Sequence, residues 1–438
     1  MYRGNFPEKR VSLPDSIGNA NRISPKGETP FGEKYLAPSG EMLIFSCRFT
    51  TRLSNGCYPM SRKTNIENPF LYGKVVTGKY FVNREKERQE IAREIEQHTN
   101  IILYSPRRYG KTSLVLQTFI DLSLKHKDFS ALIVDFYTIT SKEKFLLRLA
   151  DEYGKNAGLT LEKLIRHFKT FLTGIVPIIT VDAMGNPRVE IQMTPGQMPL
   201  IFEQIVNLPQ KLAETGKLVA VFFDEFQETH HFNGQNFQKE LRAIIQHHSH
   251  VSYIFSGSKH HLFETMFENP ENPLYRIGKR MELGKIPLEN YLPFLTQNLK
   301  KVHPQFTEKQ GEEIYAQANG IPYYVQMLAH EVFNLAVLKP RAKPEELIHQ
   351  AVNDILDNKS EEFGFIFEHL NRSERLTLEM LIKKDGQGLF KKDNQYILAP
   401  STIKKALTNL QQKGIIERRG NRYHFQDIFF ERWLRQHL

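Results

Sequence analysis

The sequence predicts an α/β fold: a parallel sheet flanked by helices, followed by an α-helical lid and a C-terminal winged-helix domain. Three observations carry that prediction. From about residue 68 to 287, β-rich apolar runs alternate with amphipathic helical runs, the pattern of a parallel sheet wrapped by helices. From 288 to 367 apolar residues recur at three- and four-residue spacing, so the stretch is helical. From 368 to 438 the order is helix, helix, two-stranded hairpin, helix, which is a winged helix-turn-helix.

Taken in order, Arg84 to Ile95 is a charged amphipathic helix, and Asn100 to Tyr104 is an apolar strand. That strand runs into Ser105-Pro-Arg-Arg-Tyr-Gly-Lys-Thr112, and an amphipathic helix follows from Ser113 to Leu124. Strand, tight loop, Gly-Lys-Thr and helix together bind a nucleoside triphosphate, the arrangement of a P-loop NTPase. Backbone N–H groups of Ser105, Arg107, Arg108, Tyr109, Gly110 and Ser113 surround the phosphates, with Pro106, which has no N–H, part of the same loop, and the helix N-terminus adds its positive end. Lys111 reaches the β- and γ-phosphates and the Thr112 hydroxyl ligates Mg²⁺. Ser105 stands where the motif usually begins with glycine. A small residue serves there provided its φ need not be positive.

Phe129 to Phe136 reads as the next strand and Ser141 to Gly154 as a helix with an apolar stripe. Residues 177–193 alternate about Met184-Gly-Asn-Pro187, the signal of a surface hairpin insertion. A helix over Pro199 to Thr215 leads to the unbroken apolar strand Lys217 to Phe223, which ends in Asp224-Glu225. Such a run suits a central strand covered on both faces, and carboxylates at its C-terminal end sit where open α/β sheets bind ligands. Asp224 is expected to hold Mg²⁺ through water, and Glu225 to polarise the water that attacks the γ-phosphate. A helix at Asn236 to Gln246 and a buried strand at Val251 to Ser256 complete the sheet. Ser373 to Ile382 and Ser401 to Leu410 are helices, the second with Ser401 as its expected N-cap. Lys413 to Phe425 is a hairpin turning at Gly420-Asn421.

Residues 1–59 differ in kind. They are rich in Pro, Gly, Ser and Asn and lack sustained periodicity, apart from a short strand expected at Glu41 to Cys47. They read as a disordered or mis-annotated extension, with Met60 the natural start; a regulatory tail is the alternative. Cys47 and Cys57 both fall there, and two isolated thiols make neither a disulfide framework nor a zinc site. No apolar stretch approaches the roughly 20 residues that span a bilayer. The N-terminus lacks a charged-then-apolar signal segment, so a cytoplasmic address and no membrane partner are expected. The net charge of +10 suits nucleic acid as well as it suits solubility.

From about Asn68 to Leu438 the chain resembles the archaeal-type P-loop ATPases, an AAA-like group close to the STAND class of signal-transduction ATPases. The resemblance rests on Tyr80-Phe-Val-Asn-Arg-Glu-Lys-Glu87, Pro106 to Ser113, Phe223-Asp-Glu-Phe-Gln-Glu228, Phe255-Ser-Gly-Ser258, Gly320-Ile-Pro322 and Asp427 to Arg435, in that order. It implies ATP as the nucleotide and a segment from Phe81 to Arg84 packed beside the adenine. It implies that Ser256 or Ser258 senses the γ-phosphate, and that Pro322 carries nucleotide contact from the lid. Gly-x-Pro also breaks helices where no ligand is present. Arg276 and Arg280 follow the sensor strand by a loop, placed either to offer positive charge to a γ-phosphate, in cis or in a neighbouring subunit, or simply to be solvated. The adjacent histidine pairs nearby lack partners at ligand spacing, so no metal beyond Mg²⁺ is expected.

These features imply an ATP-binding protein and Mg²⁺-dependent ATPase that acts as a nucleotide-driven switch. Glu225 disfavours a protein that only binds nucleotide. The alternative is a DNA-binding ATPase using the winged helix, similar to origin-recognition initiators. Residues 366–438 carry 14 basic against 8 acidic residues, with Arg418, Arg419 and Arg422 on the wing, yet Lys404-Lys405 is a thin basic face for the major groove. DNA, a protein partner and nucleotide-dependent self-association are the candidate interactions.

Overall fold

The computed structural model describes residues 67–156, 177–181, 187–191, 195–231, 234–390 and 398–438, with positions 162, 165, 166, 168 and 170 between them. The extension 1–59, including the expected strand at 41–47, and Met60 lie outside the described residues, as do turn residues 184–186.

Among the described residues the α/β half is built on five parallel strands: β1 (Ile101–Tyr104), β2 (Phe129–Asp135), β5 (Leu218–Asp224), β6 (Val251–Gly257) and β7 (Lys279–Glu282), in the order β2-β5-β6-β1-β7. The two-stranded hairpin β3 (Pro177–Val181) and β4 (Pro187–Ile191) stands apart from this sheet. The inner strands β5 and β6 are buried along nearly their whole length, which explains their unbroken apolar composition. Helices α1 (Glu85–Glu96) and α2 (Lys111–Lys125) cover one face through Ile91, Ile95, Leu114, Val115 and Phe119. The other face carries an aromatic cluster of Phe136, Phe145, Phe202, Phe223, Phe226 and Phe237. The register aligns the carboxyl ends: Asp135 lies beside Asp224, Phe223 beside Phe255, and Tyr104 beside Gly257. A Cβ on Gly257 would lie 2.2 Å from the Phe263 ring and 2.7 Å from Gln227 Oε1, so this strand end accepts only glycine.

Two expectations needed correction here. The helix read over 199–215 is two helices, Met198–Val206 and Leu208–Ala213, because Pro209 cannot donate a hydrogen bond back into the first. Residues 279–282, read as part of a loop, form the edge strand β7.

The helical half comprises Leu288–Lys300, Glu308–Gln317, Pro322–Leu338 and the 25-residue helix Pro344–Glu368. The winged helix follows as Arg372–Lys383, Pro400–Gln412, the antiparallel wing Ile416–Arg419 and Arg422–Phe425, and Ile428–His437. Its second helix is capped by Ala399 with Pro400 in the first turn, not by Ser401, since proline is already set to the helical φ. These two regions share one continuous apolar core. Phe363 of the long helix packs on Phe430 and Trp433 of the last one, and Trp433 Nε1 donates to Ser360 Oγ at 2.9 Å. The leading segment joins the same core. Phe70 is buried against Phe294 and Phe333, and Asn68 donates to His330 O and Asn334 Oδ1, so residues 68–72 pack on the lid although the sequence pattern assigns them to the α/β half. Among the described residues no helix is long and apolar enough to cross a membrane.

Candidate nucleotide-binding site

The phosphate loop leaves β1 at its carboxyl end and enters α2 at Lys111. Arg108 and Gly110 both take left-handed backbone, at φ 74° and 88°. Nothing lies within 4 Å of a Cβ built on Gly110, so conformation and not crowding calls for glycine at that position. Ser105 is buried and has no positive φ, which lets serine replace the usual glycine; its N–H donates to Gly257 O and its hydroxyl to Pro106 O at 3.1 Å. Lys111 is buried, and its Nζ donates to Ser105 O at 3.0 Å. Burial pushes the lysine pKa below its usual value, while the nearby Glu225 and Asp224 carboxylates oppose that shift. An ammonium hydrogen-bonded to loop carbonyls alone has charge to offer a phosphate.

The carboxylates stand across from the loop. Thr112 Oγ1 donates to Asp224 Oδ2 at 2.6 Å, while Asp224 Oδ1 accepts from Ser256 Oγ at 2.5 Å and from the Glu225 N–H at 3.0 Å. Glu225 takes φ 48°, the left-handed region, and its Oε2 accepts from Ser258 Oγ at 2.7 Å and from Gln227 Nε2. The two predicted sensor serines thus touch the carboxylates and do not line the cavity. Asp135, from the neighbouring strand end, was missed by sequence reasoning. Burial, with Asp224 and Glu225 close by, raises its pKa. Paired Thr112 and Asp224 oxygens suit a hard divalent cation, which takes one or two protein ligands and completes its shell with phosphate and water.

A cavity of about 640 Å³ extends from the loop. Arg107 to Ser113, Asp224 and Glu225 line one end, and Phe81, Val82, Tyr291, Pro322 and Gln326 line the other. Residues 71–76 form a further wall that carries no sequence signal, being short and without period. Pro322 begins its helix there. Arg84 lies in the wall with its guanidinium spent on structure: it donates to Gly284 O at 2.6 Å and pairs with Glu87 at 2.8 Å.

The loop's outer side meets the helical half. The Tyr323 N–H donates to Arg108 O at 3.2 Å. The Arg108 guanidinium pairs with Asp427 at 3.0 Å, donates to Gln426 O at 3.2 Å, and bonds the Tyr324 hydroxyl. Arg419 of the wing donates to the Tyr109 hydroxyl at 3.2 Å. A second cavity of about 570 Å³ lies between the loop and the winged helix, and Pro106 faces it instead of the first.

Arg276 and Arg280 are elsewhere. Gly278 lies against Asn100, and Lys279 N donates to Asn100 O, so the chain enters β7 at the amino end of β1, opposite the phosphate loop. Both arginines line a separate cavity with Ile102 and Phe263, and Arg280 pairs with Glu268. Within one chain neither reaches the loop, which corrects the cis reading.

A parallel sheet with its phosphate loop, acidic strand end, helical lid and winged helix defines a P-loop ATPase fold. The profile of an ATPase domain predominantly from Archaea matches residues 81–328, more than half of the chain, and the protein belongs to that family. A winged helix domain profile matches residues 391–436. Among solved structures, the chain is similar to the Walker-type ATPase of Pyrococcus abyssi, at 16% identity over 84% of this chain and 99% of that one, with a TM-score of 0.57. It is also similar to the ORC2 protein of Aeropyrum pernix, solved as ADPNP-ADP complexes, at 13% identity over 81% of this chain and 93% of that one, with a TM-score of 0.51. At such identities the likeness concerns the fold. No curated protein matches the chain.

Proposed function

We propose that this ATPase-family protein is a Mg²⁺-dependent ATP hydrolase of AAA/STAND type whose nucleotide state is passed to its helical half. One observation carries the reading: the phosphate loop faces the cavity with its backbone, Lys111 and Thr112, while Arg108 and Tyr109 of the same loop hold the winged helix at Asp427 and Arg419. In this reading Lys111 pairs with the β- and γ-phosphates, and Thr112 and Asp224 hold Mg²⁺, which would neutralise phosphate charge. Glu225, fixed through Oε2, orients the attacking water. Pro322 and Tyr323 bring the lid helix to the nucleotide, and only a difference in affinity between two arrangements can move it. Hydrogen exchange over residues 288–438, with and without a non-hydrolysable ATP analogue, tests the coupling. Protection that changes on binding is expected in the wild type and absent in Lys111→Ala; identical exchange in both states of the wild type would reject the switch.

A second reading, duplex DNA binding, is favoured by the second winged-helix helix, whose exposed residues include Lys404, Lys405 and Thr408 and which has no acidic residue. If it holds, Lys404→Ala with Lys405→Ala should weaken DNA binding across sequences and lower the salt dependence by about two counterions. Salt-titrated fluorescence anisotropy measures both.

A further inference from the structure

Gln326 lies one helical turn beyond Pro322 and lines the cavity near Val82, Ile286 and Tyr291. It is only 6% exposed. Its carboxamide lies beside the Tyr291 hydroxyl, yet its Oε1 is shut off from bulk water and accepts no hydrogen bond. Leaving a buried acceptor unpaired costs roughly 1–3 kcal/mol, so a fold retains one where a ligand supplies the donor. Val82, Ile286 and Pro322, which line the same cavity, are apolar and offer no competing donor side chain to a base. The terminal torsion of a glutamine is broad, so rotation about it is the movement by which Oε1 would turn to a ligand.

Resting on the reading of this cavity as a nucleotide site, we infer that Gln326 Oε1 accepts the 6-amino group of adenine and sets the preference for ATP over GTP. Adenine presents a donor at C6. Guanine presents a carbonyl oxygen there, which would face Oε1 as a second acceptor and leave both unpaired. The loss falls on the wrong base because an acceptor shut off from bulk water cannot repair the mismatch there. Tyr291, whose hydroxyl lies beside the carboxamide, is the positioning residue.

The test is a ligand cycle on the full chain, by calorimetry, with ATP, GTP and purine riboside triphosphate, which lacks the 6-amino group. The wild type is expected to bind ATP about tenfold tighter than the deaminated analogue, the scale of one hydrogen bond. In Gln326→Leu, and in Gln326→Met as a second variant of similar size, the two nucleotides should bind alike. An ATP advantage that survives in either folded variant, or none in the wild type, would overturn the assignment while leaving the nucleotide site in place. A wild type that binds none of the three would overturn the site itself.

Discussion

The phosphate loop at 105–110 and the wing at 416–425 are both short basic turns with adjacent arginines, and they touch through Tyr109 and Arg419. The loop presents backbone, Lys111 and Arg107 to a cavity and uses Arg108 for structure. The wing shows three arginines in sequence, yet each has a partner inside the molecule. Arg418 donates to Gly420 O at 2.9 Å, Arg419 pairs with Glu417 and Tyr109, and Arg422 pairs with Asp385. Charge count therefore says little about what a charge does. Each wing guanidinium has part of its donor set engaged within the molecule and must give up those bonds to turn fully to a nucleic-acid phosphate, whereas Lys111 need release only loop carbonyls to meet a nucleotide.

The comparison can be broken most sharply at Lys111. Lys111→Ala should weaken ATP binding by about 100-fold or more, from the loss of a charge-assisted contact in a buried site. Calorimetry that found unaltered affinity would remove the loop's special status. Glu225→Gln comes next. ATP should still bind, while turnover falls by about 10²-fold, the scale of a water-orienting group; steady-state phosphate release would expose an unchanged rate. At the contact between the two turns, Asp427→Ala removes both the Arg108 pair and the side-chain cap that accepts from the Phe429 and Phe430 N–H groups. A loss of about 1–2 kcal/mol is expected, seen as a melting temperature lower by a few degrees. Arg419→Ala should cost less. If it cost more, the wing and not the helix cap would be the main tie. The smallest effect is expected for Ser105→Gly, below about 1 kcal/mol, because serine already holds an ordinary φ there.

Much of the α/β half is legible in the sequence because its inner strands are buried on both faces and must be apolar. Lys217 to Phe223 and Val251 to Ser256 announce themselves for that reason. The edge strand Lys279-Arg-Met-Glu282 does not, being four residues long, charged, and paired on one side only. Gly-Lys-Thr and Asp224-Glu225 stand close to each other because the fold aligns strand ends, a regularity that sequence motifs carry. The walls of the cavity are another matter. Tyr291, Gln326 and residues 71–76 reach it from elements distant in the chain, and no local pattern marks them. Arg276 and Arg280 mislead for the converse reason, being near the motifs in sequence but at the wrong end of the sheet.

The core shared by the long helix Pro344–Glu368 and the winged helix has a consequence for anyone wishing to cut the protein into parts. Phe429, Phe430, Trp433 and Leu434 are all buried, and Phe430 and Trp433 rest on Phe363. A fragment holding only residues 368–438 would bare that aromatic face to water, at about 1.5–3 kcal/mol for each large side chain uncovered. Few small domains possess a margin to absorb that loss. The winged helix is thus not a detachable module: expressed alone it should aggregate or fold poorly, whereas a fragment beginning at the lid would keep its cover.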